Sequence, residues 1–244
     1  MKDYRLSVWV FAVILCLHAV FSYAEKPLVK TDSAVDIPAF EIPFSHFASP
    51  EARDAFFRFN TEINPKVNGD DNNIKLLRRS TDKHFYLPLI KKHRARYAVN
   101  IEPKIIAGIY TEVITPADGV TSKNQKRILI NLHGGGFKIG ARTVGQVESI
   151  PIAALGNIKV ISIDYRLFPE ATFPAASEDV AAVYQELLKS YQPGNIGLYG
   201  CSAGGRLTSQ AIAWFDREAI PLPAAIGLFC AALESTRLGD SAYT

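Results

Sequence analysis

The sequence predicts an α/β fold, a mostly parallel sheet with helices on both faces. Two observations carry that prediction. From Lys104 onward, short apolar strand-like runs alternate with helix-like runs, and such alternation calls for parallel strands joined by helical crossovers. Within it, Gly200-Cys201-Ser202-Ala203-Gly204-Gly205 follows a short apolar run at 196–199 and precedes a helix expected over 203–217, a strand, tight turn and helix in direct succession. The chain of 244 residues, 48% hydrophobic and 21% charged, is long and apolar enough for one domain with a substantial core.

Residues 1–24 are set apart from the fold. Lys2 and Arg5 give a basic start, residues 6–20 are apolar, and Ser22-Tyr23-Ala24 forms a small-x-small site before Glu25. This pattern predicts a secretory signal peptide, and with it a secreted or periplasmic protein. The apolar stretch is short for a membrane span and Glu25-Lys26-Pro27 follows without a stop-transfer pattern, so no stable span is expected after cleavage. A formal charge of +3 without a long basic block gives no support to nucleic-acid binding. The cluster of basic residues at 91–96 is expected to be a solvated helix face.

The region 25–103 opens with a proline-punctuated extended segment. A helix is then expected, with Ser49 as cap, Pro50 in the first turn, and Ala52, Ala55, Phe56 and Phe59 on one side. Residues 60–73 are polar and turn-rich, and 74–100 read as helix or loop lying over something apolar. Strand-like runs follow at 105–114, 127–132, 158–163, 196–199 and 225–229. Helices are expected over 144–155, 177–191 and 203–217, the second capped by Ser177 with Glu178 and Asp179 in its first turn.

Two motifs carry chemistry. In Gly200-Cys201-Ser202-Ala203-Gly204 the tight turn would strain Ser202 and push its hydroxyl clear of the sheet, with glycines where side chains would collide. Ser202 is therefore the candidate nucleophile. In His133-Gly134-Gly135-Gly136-Phe137, three glycines allow backbone N–H groups to approach a bound group closely. Acyl transfer needs such donors for the negative oxygen of its tetrahedral intermediate, and the N–H of Ala203 would supply another. His133 is expected to brace the loop and not to act as base. No His, Cys or Asp spacing resembles a metal ligand set, and no metal or organic cofactor is expected. Beyond the signal segment only Cys201 and Cys230 remain, too few for a disulfide scaffold, and we expect two buried free thiols.

Taken together, His133 to Phe137, Asp164-Tyr165-Arg166-Leu167-Phe168-Pro169-Glu170, Phe173-Pro174-Ala175-Ala176 with Asp179, and Gly200 to Gly205 resemble, in order and spacing, the hormone-sensitive-lipase-like esterases of the α/β-hydrolase fold. The resemblance covers roughly 105–240. It implies carboxylic-ester hydrolysis of a small-molecule substrate by a Ser, Asp, His triad with Ser202 as nucleophile. Gly134, Gly135, Gly136 and Ala203 would form the oxyanion hole, Gly135 most securely. It also implies that residues 25–103 form an N-terminal cap or lid, that 104–244 form the catalytic domain, and that Asp164, Tyr165 and Arg166 are structural.

Position 201 is commonly Asp in the family and is Cys here, and the Asn often found after the paired glycines is Arg206. A larger departure concerns the triad. Its order in this fold is Ser, then acid, then His, yet His18, His46, His84, His93 and His133 all precede Ser202. Asp216, Glu218, Glu234 and Asp240 come too early to resemble the acid. The apolar run at 224–233 has the character of a parallel strand buried on both faces, with little chain left to cover it. We therefore expect an N-terminal portion of an esterase with its C-terminal strands missing, inactive as it stands. The other expectation is a non-catalytic ligand-binding protein on the same scaffold, as plant gibberellin receptors are. Oligomeric state and acyl preference are not legible in these residues.

Overall fold

The computed structural model describes Ala39, residues 41–63 and 73–232, and the backbone pairing of strands β1 (Leu28–Val29) and β2 (Val35–Asp36). The expected signal segment and residues 233–244 lie outside the described residues. The chain divides into two compact units, Met1–Arg53 and Asp54–Thr244. Ser49 Oγ accepts the Ala52 N–H at 3.3 Å, so helix α1 (Pro50–Arg58), which begins in the first unit and ends in the second, starts as its sequence predicts, and none of its residues is buried.

In the second unit, α2 (Ile74–Thr81) and α3 (Leu87–Arg96) are joined by a π-helical turn, Asp82–Tyr86. Pro88 has no N–H for the carbonyl four residues back, and the wide turn stands just before it. Residues 91–96 are largely exposed, as a solvated face requires. The predicted strand at 105–114 is instead a hairpin of β3 (Val99–Ile106) and β4 (Ile109–Pro116). Ala107 and Gly108 turn it with positive φ of 50° and 81°, the signature of a tight hairpin whose twist matches its strands. Pro103 is tolerated because β3 is an edge strand.

The remaining elements are β5 (Ile128–Leu132), α4 (Val144–Gly156), β6 (Lys159–Ile163), α5 (Ala175–Leu188), β7 (Ile196–Cys201), α6 (Ala203–Arg217) and β8 (Ala225–Phe229). The six-stranded sheet has the order β3-β4-β6-β5-β7-β8, antiparallel through β3, β4 and β6 and parallel from β6 to β8. Alternation within strands sorts the two faces. Ile128, Ile130, Leu132, Ile161, Ile163, Ile196 and Leu198 pack with Val180 and Val183 of α5 and with Leu207, Ala211 and Phe215 of α6. Val160, Tyr199 and Leu129 turn to the other face and meet Ala153 of α4. Tyr184 and Phe215 stack at 4.5 Å where α5 meets α6.

Helix α5 begins at Ala175, earlier than its sequence suggests, because the Glu178 N–H already bonds Pro174 O at 3.0 Å. Ser177 thus lies inside the first turn, and its hydroxyl is buried without a partner instead of capping. β8, an apolar strand with little chain left to cover it, pairs among the described residues with β7 alone and leaves Ile226 46% and Phe229 52% exposed.

Candidate active site

β5 and β7 are parallel neighbours with Leu132 opposite Gly200. Their C-terminal ends lie side by side, so the His133-Gly-Gly-Gly loop and the Ser202 turn emerge together, at the end of the sheet where α/β folds bind ligands. Ser202 is exposed and has φ 55° and ψ −120°. That backbone is one L residues rarely adopt, and it persists only where surroundings enforce it. Here they do. The Ser202 N–H donates to Phe229 O of β8 at 2.8 Å, and Ser202 O accepts the Arg206 N–H at 3.1 Å in the first turn of α6. A Cβ at Gly200 would overlap Leu132 O and the Gly204 backbone, and one at Gly204 would overlap Leu132 O. The turn can only be this tight with glycine on both sides.

The glycine loop rests on the elbow. A Cβ built at Gly134 would lie 3.0 Å from Cys201 O and 3.7 Å from Ser202 Cβ. Gly135, at φ 116°, presents its carbonyl to the N–H groups of Lys138 and Ile139, both at 3.0 Å, and a side chain there would strike the Ile139 carbonyl. Among the described residues, no protein acceptor takes the N–H of Gly135, Gly136 or Ala203. Ala203 opens α6, whose first N–H groups are free by the geometry of a helix. The Gly134 N–H, by contrast, is engaged by Glu148.

Glu148, on α4, was not anticipated from sequence. Its half-buried carboxylate accepts the Gly134 N–H at 3.0 Å and Asn131 Nδ2 at 2.8 Å. Asn131 Oδ1 in turn accepts Ser162 Oγ at 3.0 Å. Burial pushes the Glu148 carboxyl above its ordinary range, against the pull of those two donors. A signal existed: Glu148 is the one charged residue in an otherwise apolar and neutral helix, and a lone charge facing a core needs partners.

His133 is fully buried, its ring stacked on Tyr165 at 4.4 Å. Its Nδ1–H donates to Gly134 O at 2.7 Å, and burial pushes its pKa below the usual imidazole range. Tyr165 donates its hydroxyl to His133 O at 2.6 Å. The imidazole therefore braces the loop from behind, the role its sequence position suggests. Asp164 is paired with Arg142 at 2.8 Å, and Arg166 donates to Asp179 from both its backbone N–H and its guanidinium. From α2, Arg78 donates to Lys138 O at 2.7 Å, to Phe168 O at 2.9 Å and to both Glu170 oxygens, holding the Glu170 carboxyl down at about 2. The half-buried Asp82 accepts the Thr143 hydroxyl at 2.6 Å. A cavity of about 230 Å³ is lined by Phe137 of the loop with Phe168, Phe173, Ala176 and Gln210.

Cys201 and Cys230 are free, as expected, but not buried: Cys201 is half-buried and Cys230 exposed. Cys201 is locked in the elbow, and Cys230 follows β8 out of the sheet. Among the described residues no group of three His, Cys, Asp or Glu side chains could hold a metal ion, and no helix is long and apolar enough to cross a membrane.

Residues 129–243 match the family described as alpha/beta hydrolase fold. An acetyl-hydrolase of Streptomyces hygroscopicus is 35% identical over 105 residues, covering 43% of this chain and 35% of that protein. Among solved structures, the esterase E25 superposes with a TM-score of 0.68 at 27% identity, over 85% of this chain and 64% of its own. An esterase from the bacterial hormone-sensitive lipase family superposes with a TM-score of 0.59 at 29% identity, over 73% of this chain and 56% of its own. This chain thus spans well under two thirds of the acetyl-hydrolase. Sheet order, elbow, glycine loop and these likenesses agree: the chain has the α/β-hydrolase fold and is similar to esterases of the hormone-sensitive lipase family.

Proposed function

We propose that the protein's chemistry is carboxylic-ester hydrolysis, with Ser202 as nucleophile and an oxyanion hole formed by the N–H groups of Gly135, Gly136 and Ala203. One observation carries the reading. The strained, exposed Ser202 lies beside a glycine loop in which the Gly135 and Gly136 N–H groups are unspent. An ester carbonyl seated there would be attacked by Ser202 Oγ, and its oxygen, turning negative, would meet donors already in place at no cost of reorganisation. Gly134 is not one of them, because its N–H is spent on Glu148; its part is to set the loop's height above the elbow. Phe137 and the cavity it lines offer an apolar seat for a small acyl or alcohol group.

The serine proton needs a base, and no histidine follows Ser202. His133 has its ring packed on Tyr165 and its Nδ1 committed to the loop. Without a base the hydroxyl stays protonated and is a weak nucleophile, leaving a residue of about a thousandfold over water from oxyanion and binding effects. We therefore expect this chain alone to be close to silent towards esters. The commitment of the His133 ring to the loop favours a second reading, a ligand-binding protein on this scaffold. Both are tested by incubating the chain with a fluorophosphonate and a short-chain p-nitrophenyl ester. Slow phosphonylation confined to Ser202 and absent from Ser202→Ala, with ester turnover near background, supports the hydrolase site. No phosphonylation, together with saturable binding of the intact ester, supports the binding protein.

A further inference from the structure

The two cysteines are placed to do something together. β7 and β8 run parallel with Cys201 opposite Phe229, and the Ser202 N–H holds Phe229 O at 2.8 Å, so the end of β8 is fixed against the elbow before Cys230 begins. With strands about 4.8 Å apart and a rise of about 3.3 Å per residue, a residue one step past the partner lies about 5.8 Å from the residue opposite. That is inside the range of about 4.4–6.8 Å between Cα atoms that a disulfide spans. Distance alone would not suffice. In an unbroken strand Cys230 would face away from Phe229 and Cys201, because side chains alternate. The backbone at Cys230 is left-handed, with φ 50°, which ends the alternation, and its side chain stands near enough to the Cys201 thiol to raise its pKa. Cys230 is exposed and Cys201 half-buried.

We infer that Cys201 and Cys230 are a disulfide site, closed by a low-molecular-weight disulfide such as oxidised glutathione, that ties the end of β8 to the Ser202 turn. The exposed Cys230 acts first. Its thiolate attacks one glutathione sulfur, the reagent's S–S bond breaks, and one glutathione thiolate leaves. Cys201 then gives up its proton and attacks the Cys230 sulfur, expelling the second glutathione. Two protein thiols are oxidised, one glutathione disulfide is reduced, and the two protons end on the two glutathione thiols. Burial and the neighbouring Cys230 push the Cys201 thiol up to about 11, which suits it to the second, intramolecular step and not to the first. The inference does not depend on Ser202 being reactive.

The test is a mass measurement on the full chain. After incubation with oxidised glutathione at mildly alkaline pH, remaining thiols are alkylated and the protein is digested with trypsin without reduction. Peptide 190–206, holding Cys201, should be found linked to peptide 218–237, holding Cys230, in monomeric protein. The link should form about tenfold faster or more in native buffer than in strong denaturant, since only the fold raises one thiol's effective concentration at the other. In single variants, Cys230 of Cys201→Ser should take up glutathione faster than Cys201 of Cys230→Ser. Peptides that carry only glutathione or the alkylating group, a link through Cys16, an intermolecular link, or equal rates in denaturant would overturn the inference. Uptake at Cys201 as fast as at Cys230 would overturn the order of attack.

Discussion

Ser202 and its flanking glycines were legible because their constraint is local: a turn between strand and helix that tight allows no side chain on either side, whatever the rest of the chain does. Glu148 was not, because its partners, the Gly134 N–H and Asn131, belong to a strand end and loop that only folding brings to α4. The cysteines misled for a related reason. Burial was inferred from their apolar neighbours, but Cys230 leaves the sheet where β8 ends. Glu148 yields a prediction with a definite sign. Its folded pKa is raised, so what the protonated carboxyl contributes is present below the ordinary carboxylate range and is lost as pH rises through the folded value. Glu148→Gln should therefore flatten the acid-side pH dependence of the thermal midpoint, at little cost in stability, because the amide oxygen still accepts the Gly134 N–H and Asn131 can turn its amide towards Ser162. Glu148→Ala strands two donors and should cost about 2–6 kcal/mol in urea unfolding, at about 1–3 kcal/mol for each unsatisfied group. Equal melting curves for wild type and both variants across the pH range would remove Glu148 from its place under the loop.

Most elements appear where hydrophobic period and turn residues put them, with β8 and α6 matching to the residue. The misses share a cause. A run of β-branched residues does not reveal a fold-back when the turn is made by Ala107 and Gly108, since alanine is a poor advertisement for a left-handed backbone. Ser177 advertises a cap it does not make, because Pro174 supplies the first carbonyl of α5 three residues earlier than a serine cap would. β8 has the composition of a strand buried on both faces but little chain after it to cover it, and its exposed edge follows, since burial depends on what packs against it. As described it is the last strand of the sheet, with apolar Ile226 and Phe229 exposed. Such an edge is a template for pairing with other chains. Ile226→Lys should lower the light scattering of the purified chain and its binding of a hydrophobic dye. Scattering unchanged by that lysine would place the sticky surface elsewhere.

At the scale of the whole molecule, the mostly parallel sheet clothed on both faces was legible from the alternation of elements alone. The meeting of the two motifs was not, since it requires β5 and β7 to be neighbours although β6 lies between them in the chain. The fate of residues 1–24 is a separate matter of processing. With Ser22 and Ala24 at a small-residue site, exported protein should begin at Glu25, and N-terminal sequencing that returns Met1 from the exported fraction would reject this. One bond has a consequence in time. The Ser202 N–H is held by Phe229 O, a residue that leaves the ribosome well after Ser202 itself. While β8 is still in the exit tunnel the turn lacks that hold and has only the Arg206 N–H and the packing of its glycines on Leu132. The elbow therefore gains its last restraint only when the next strand arrives.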